Sequence, residues 1–137
     1  MTTTPRRMRE LAAHQSLRLL GSVSLGRIAF TEHAMPGIRP VNHILDEGDI
    51  IIRSHVGAAI LATHGQIVCY EADALDPDTH LGWSVIVLGR AQVVQDPAEV
   101  ERYSRIVRPW VDRQMDYVIR IHSETITGYE IVGSDPA

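Results

Sequence analysis

The chain contains no lysine: all 13 of its basic residues are arginine. Schiff-base and other lysine-centred catalysis is therefore excluded. A single cysteine, Cys69, excludes an internal disulfide framework and any Cys-x-x-Cys metal or redox motif. Aromatics are scarce, with one Phe, two Trp and four Tyr, so Ile, Val and Leu must fill the core. No apolar run approaches the roughly 18 residues of a membrane span. No apolar signal core follows the polar, basic start from Met1 to Arg9. These absences point to a cytoplasmic protein with no membrane partner. An excess of positive charge is missing too. The formal net charge is −4, whereas a nucleic-acid binder of this size would usually be basic, so no nucleic-acid partner is expected.

What remains is an ordinary globular composition, 45% apolar and 22% charged over 137 residues. That length fits one domain, residues 1–137, able to bury a core without disulfide or metal staples. Thr4 as N-cap and Pro5 at the first helical position predict a helix running to Gly21. Val23 to Phe30 reads as a strand, in which Gly26 marks a bulge or a close approach. Met35-Pro36-Gly37 reads as a turn before a strand from Ile38 to Leu45. Asp46 to Asp49 is a hairpin turn into a strand from Ile50 to Ser54. Gly57 to Thr63 is a short helix, and Gln66 to Ala72 a strand with Ile67, Cys69 and Glu71 on one face. Gly82 to Gln95 is the longest strand. Asp96-Pro97-Ala98-Glu99 is a capping box opening a helix towards Trp110. Tyr117 to His122 and Thr125 to Val132 close the chain as strands. Short links favour antiparallel pairing, so a small β-barrel with flanking helices is expected, not a doubly wound parallel sheet.

Three stretches carry candidate chemistry. In Arg53-Ser54-His55-Val56-Gly57-Ala58-Ala59 a strand ends at a guanidinium and a hydroxyl, and a glycine opens a helix. Helix-terminal N–H groups, the guanidinium fork and the hydroxyl together suit a phosphate. The plainer reading makes Ser54 a helix cap and Arg53 a surface residue. In Arg39-Pro40-Val41-Asn42-His43 a proline interrupts a ladder, so nearby backbone groups are available to a flat heterocycle. The plainer reading is an edge strand protected by Pro40. Asn42 and His43 must face opposite sides. Gly82-Trp83-Ser84 places a tryptophan at a strand start, where it covers a pocket, an interface or simply the core. The histidines are scattered without ligand spacing, so no metal site is expected. No nucleophile elbow, P-loop or dinucleotide fingerprint occurs.

These pieces stand in a recognisable order. They run from Leu25-Gly26-Arg27-Ile28-Ala29-Phe30 through Arg39 to His43, then Ile52-Arg53-Ser54 and Val68 to Asp73. Gly82-Trp83-Ser84 to Ala91 and the helix to Pro109-Trp110 complete the series. In this order the chain resembles the FMN-binding split-barrel family related to pyridoxamine 5′-phosphate oxidase, in its flavin-nucleotide-binding, Nim-type branch. The resemblance spans about Leu11 to Val132. It implies a six- to seven-stranded antiparallel split barrel, mainly β, with an N-terminal helix and two further short helices. It implies a homodimer with flavin in the interface. Pro40, Val41 and Asn42 would lie along the isoalloxazine. Arg53, Ser54 and the helix start at Gly57, Ala58 and Ala59 would hold the phosphate. Trp83 and Ser84 would come from the partner subunit. Relatives usually carry a polar and then a basic residue at the positions of Ala58 and Ala59, so this chain has no side-chain cation there. The implied function is that of a flavoprotein oxidoreductase acting on a small molecule, with His43 as a candidate proton donor. Reduced deazaflavin in place of FMN, and a non-catalytic ligand-binding barrel, are the alternatives. Vitamin B6 oxidation is not implied, because the substrate residues of a true pyridoxamine phosphate oxidase are not recognisable.

Overall fold

The computed structural model describes residues 5–54, 59–108 and 117–133. In chain order the elements are β1 (Arg6–Leu11), α1 (Ala13–Gly21), β2 (Leu25–Glu32), β3 (Met35–Asp46) and β4 (Asp49–Ser54). A 3-10 turn (Ala59–Thr63), β5 (Ile67–Leu75), β6 (Gly82–Val93), α2 (Pro97–Ile106), β7 (Tyr117–Ile121) and β8 (Thr125–Gly133) follow. All pairings are antiparallel, in the order β1-β8-β6-β5-β2-β3-β4-β7, and β7 pairs back onto β6. Six strands thus close a barrel, and β8 with β1 extends it as a flap.

Alternation along the strands decides what lies inside. Ile28, Phe30, Ile50, Ile52, Val68, Tyr70, Val85, Val87, Ile119 and Ile121 fill the barrel, and Leu20 of α1 plugs it. A second, smaller cluster of Ile51, Tyr103, Val107 and Val118 lies between the barrel wall and α2. The run Ile50-Ile51-Ile52 is therefore buried on both faces of β4, which explains its unbroken apolar character.

Several sequence expectations need correction. The predicted first helix is two elements. Arg6–Leu11 is a strand, paired residue for residue with β8 from Arg6/Gly133 to Leu11/Gly128. That segment has too few apolar residues to bury a helix face, and pairing satisfies its backbone instead. α1 begins only at Ala13, where the Gln15 side chain accepts from the Ala12 N–H at 3.0 Å. The hairpin turn before β3 is His33-Ala34, both at positive φ as a two-residue turn requires, and Met35-Pro36-Gly37 already belongs to the strand. The barrel has its six strands, but the sheet counts eight. Among the described residues two α-helices are present; the expected helix at Gly57–Thr63 is a 3-10 turn from Ala59, with Gly57 and Ala58 outside the described residues. At α2, Asp96 caps the Ala98 N–H at 3.1 Å, but Glu99 does not complete a box: it reaches Arg120 at 3.3 Å. α2 ends at Ile106, and Trp110 lies outside the described residues. Gly26 is a close approach without a bulge: an added Cβ would lie 2.4 Å from the Tyr70 hydroxyl oxygen, while the β2–β3 register runs on unbroken.

Closure of the barrel depends on β6 changing partners. It pairs with β8 from Gly82 to Leu88 and with β7 from Ala91 to Val93. At the switch the β7–β8 connection crosses it, with the His122 N–H donating to Arg90 O and the Glu124 N–H to Leu88 O. A Cβ on Gly89 would sit 1.7 Å from the His122 carbonyl oxygen. Backbone held on both sides by ladders cannot yield that distance. Gly89→Ala should therefore destabilise the chain by about 3 kcal/mol or more, read as a lower midpoint in urea unfolding.

Candidate functional site

The barrel splits where β3 leaves β4. The two strands pair from Asp46/Asp49 to His43/Ile52 and no further. Beyond that point β3 continues on β2, with Asn42 opposite Leu25 and Pro40 opposite Arg27. β4 continues on β7, with Arg53 opposite Val118 and Ser54 opposite Tyr117. The result is a fork. One prong carries Pro40, Val41 and Asn42, and the other carries Arg53 and Ser54.

Among the described residues, β3 from Met35 to Asn42 has a strand partner on the β2 side alone. Its other edge lines the fork and offers main-chain N–H and C=O groups, which need partners. Pro40 leaves the β2–β3 register intact, and on the open edge it presents a carbonyl without an N–H. Asn42 and Pro40 face outwards with Leu25 and Arg27, and Val41 packs on the barrel core.

On the other prong, Arg53 and Ser54 do not converge. Ser54 is buried and follows Ile50 and Ile52 on the barrel face, while Arg53 follows Ile51 on the α2 face. The two-residue period of a strand forces this separation. The Arg53 Nη1 donates to Ser104 O at 3.3 Å and to Val107 O at 3.2 Å. These carbonyls end α2, where a cation complements the helix dipole. α2 is itself fastened by the fully buried Tyr103. Its hydroxyl donates to Asp46 and accepts from Arg120 at 2.7 Å and from Arg102 at 3.1 Å. The Tyr103 bond, then Arg102, holds the Asp46 carboxyl below the usual range, whereas burial and Asp46 push the Tyr103 phenol up. Of the expected helix start, Ala59 is half-buried against the barrel core. Gly57, Ala58 and the neighbouring His55 lie outside the described residues.

His43 stands at the point of the fork but faces inwards. Only 2% of it is exposed. Its Nε2 lies 2.9 Å from Leu20 O, which can only accept, so Nε2 carries the proton. Nδ1 then accepts from the Tyr70 hydroxyl at 2.5 Å. Burial lowers the His43 pKa. A neutral imidazole with both nitrogens engaged is a structural pin, and the expected proton-donor role does not fit it. Sequence reasoning missed Tyr70 as its partner, since 27 residues separate them; the alternation of β5 was the available signal.

Trp83 is half-buried against the core of its own barrel, while Ser84 faces outwards opposite Asp73 and Tyr129. Asn42, Leu25, Asp73 and Ser84 form one row across β3, β2, β5 and β6. Three strand spacings of about 4.8 Å put Ser84 roughly 14 Å from Asn42. One chain therefore does not bring Trp83 and Ser84 to the fork.

The same outward face is apolar and exposed. Ile38, Ala29, Cys69 and Leu88 form one row, and Pro40, Arg27, Glu71 and Ile86 the next. Ile38 is 58% exposed, Ile67 48% and Leu88 42%. Among the described residues no helix is long and apolar enough to cross a membrane, and no group of His, Cys, Asp and Glu could hold a metal ion.

The family profile of pyridoxamine 5′-phosphate oxidase matches residues 12–134. A Mycobacterium tuberculosis protein named Rv0080, itself uncharacterised, is 46% identical over 129 residues, covering 90% of this chain and 85% of its own length. Among solved structures, a FAD binding protein from Mycobacterium smegmatis superposes with a TM-score of 0.74 at 30% identity, covering 90% of this chain and 98% of that one. A Corynebacterium glutamicum protein of pyridoxamine 5′-phosphate oxidase type superposes at 0.78 with 29% identity, covering 98% and 99%. A Bacteroides thetaiotaomicron protein of 5-nitroimidazole-resistance type shares the fold, with a TM-score of 0.70 at 13% identity. The order of elements, the split between β3 and β4 and the match along nearly the whole chain agree: the protein belongs to the pyridoxamine 5′-phosphate oxidase-like family.

Proposed function

We propose that this chain is a homodimeric flavin-binding oxidoreductase that holds FMN in the fork between β3 and β4. The observation that carries this reading is the open edge of β3 facing the prong of Arg53. A flat ring with alternating donors and acceptors matches a strand edge, because it takes the bonds that a neighbouring strand would take. Asn42 supplies an N–H and a carbonyl on that edge and Pro40 a carbonyl alone, while Val41, whose main chain turns to Gly26, anchors the strand to the core. Arg53 supplies the charge for the phosphate, through a guanidinium of five N–H donors held against the end of α2. The name of the M. smegmatis relative supports a flavin in general.

Bound flavin would supply hydride or electron transfer. The chain's own residues bind and orient. The backbone edge fixes the ring plane independently of side-chain identity. The core-packed Val41 and the pinned His43 keep that edge from closing onto β4. The outward apolar face, from Leu25 and Ile38 to Ile86 and Leu88, fits a second copy of the chain, whose Trp83 and Ser84 would then complete the cleft and exclude water. Sedimentation of the purified protein should show a dimer. Its single thiol, Cys69, lies in the middle of that face, so it should react with a thiol reagent far more slowly in the dimer than in dilute monomer. Equal reactivity in both states sinks the assignment of the face.

The purified protein should carry, or take up and retain through desalting, the two-band absorbance of oxidised flavin. A protein that stays colourless in excess FMN but quenches a deazaflavin favours the deazaflavin alternative. Arg53→Ala should weaken FMN by about 10- to 100-fold, the loss of one charge-assisted contact, while riboflavin, which lacks the phosphate, binds as before. An equal loss for both ligands would mean that Arg53 acts on the fold and not on the phosphate.

A further inference from the structure

One charged cluster sits inside the exposed apolar face. Glu71 and Asp73 are two residues apart on β5, so both point outwards. Arg27 of β2 stands opposite Glu71, with Nη1 3.5 Å from Glu71 Oε1 and 4.0 Å from Asp73 Oδ2. One guanidinium thus serves two carboxylates, and the fully ionised cluster carries a net charge of −1. The nearer neighbours on that face are uncharged; further along it, β6 presents Arg90 opposite Ile67 and β1 presents Glu10 opposite Tyr129. β6 presents Ile86 directly opposite Glu71, with Ser84 and Leu88 beside it. β2 adds Leu25 and Ala29, and β5 adds the Cys69 thiol. Beyond β6, β8 brings Thr127 and the Tyr129 phenol; beyond β2, β3 brings Pro40 and Asn42. Tyr70, the remaining titratable neighbour, points to the barrel interior. Burial, then Asp73, pushes the Glu71 carboxyl up to about 7 in spite of Arg27.

We propose that self-association through this face is linked to proton uptake, each copy's Glu71–Asp73 pair binding one proton from solvent as the two faces meet. This rests on the homodimer reading above. A patch whose charges pair among themselves leaves a foreign acidic or basic partner little to recognise. What it does offer is a rim of Leu25, Ile38, Ile67, Ile86 and Leu88, and a two-fold axis sets that rim against its own copy. The same axis sets one cluster near the other. With both carboxylates ionised, two like charges would lose solvent together. A proton shared by Glu71 and Asp73 brings each cluster to zero and turns one carboxylate oxygen into a donor.

The sign follows from linkage. Covering the face raises the carboxyl's affinity for its proton, so the dimer binds more protons than two monomers do. Association then weakens as pH rises through 7 and levels off below it. The slope reaches at most about tenfold in Kd per pH unit for each chain.

Sedimentation equilibrium of the full chain between pH 6.5 and 8.5 tests this. The monomer–dimer Kd should rise by about tenfold or more across the range. Glu71→Gln should still dimerise, with a Kd that no longer changes with pH. Asp73→Asn, which leaves Arg27 to neutralise Glu71 alone, should flatten the dependence as well and stands in should the first variant misfold. A flat Kd in the unmodified chain, or the unmodified slope persisting in either folded variant, overturns the proton linkage and leaves the dimer standing. A chain that stays monomeric at every pH and concentration overturns the homodimer reading itself, and the linkage with it.

Discussion

A barrel strand can abandon its neighbour only if something other than that neighbour holds it in place. β3 does so at His43, and the buried imidazole is what holds it. One nitrogen donates to the last-turn carbonyl of Leu20 in α1, and the other accepts from Tyr70 on β5. A helix end, a barrel wall and the departing strand meet on one ring. Gly26 leaves room for the Tyr70 ring that completes this junction. Each group involved would be costly to bury alone, and together they satisfy one another. The fork exists because this junction is rigid.

The other prong is held differently. β4 is apolar on both faces, so it is fixed by packing, with the barrel on one side and α2 on the other. Charge then tunes the position of α2. Tyr103 gathers Asp46, Arg102 and Arg120 around one buried hydroxyl, and Arg120 reaches on to Glu99 and Asp49. Arg53 is anchored to the far end of the same helix. A lysine would keep the charge there but not the planar fork that bridges two carbonyls. In a chain without lysine, the guanidinium serves as both helix cap and cation.

Local pattern made much of this legible. The alternation from Ile67 to Ala72 and the Asp46–Asp49 turn express short-range rules and appear as expected, and of the expected box at α2 the Asp96 half is present. Proline at position 40 suggests an interrupted ladder, yet the β2–β3 register runs through it, and it is the pairing with β4 that stops, at His43. What could not be read depends on partners far away in sequence. Arg6–Leu11 is a strand because β8, more than a hundred residues later, pairs with it. His43 has both ring nitrogens engaged because Leu20 and Tyr70 reach it. Arg53 and Ser54 are a pair as sequence neighbours, yet the strand that carries them turns neighbours to opposite faces. A sequence pattern names residue types at a site, and only the register decides which of them share it.

On the proposed reading, ring recognition and phosphate recognition are separate problems with separate solutions. Main-chain groups along β3 would orient the ring, and they survive any substitution that leaves the strand in place. The phosphate would depend on side-chain charge. With Ala59 packed on the core instead of a cation at that position, Arg53 carries that charge on the described part of this prong. Loss or gain of a basic residue at the phosphate then changes how long a flavin stays, and not how it is presented. With alanine at positions 58 and 59, the chain would exchange its cofactor more readily while keeping the same face of the ring towards the acceptor.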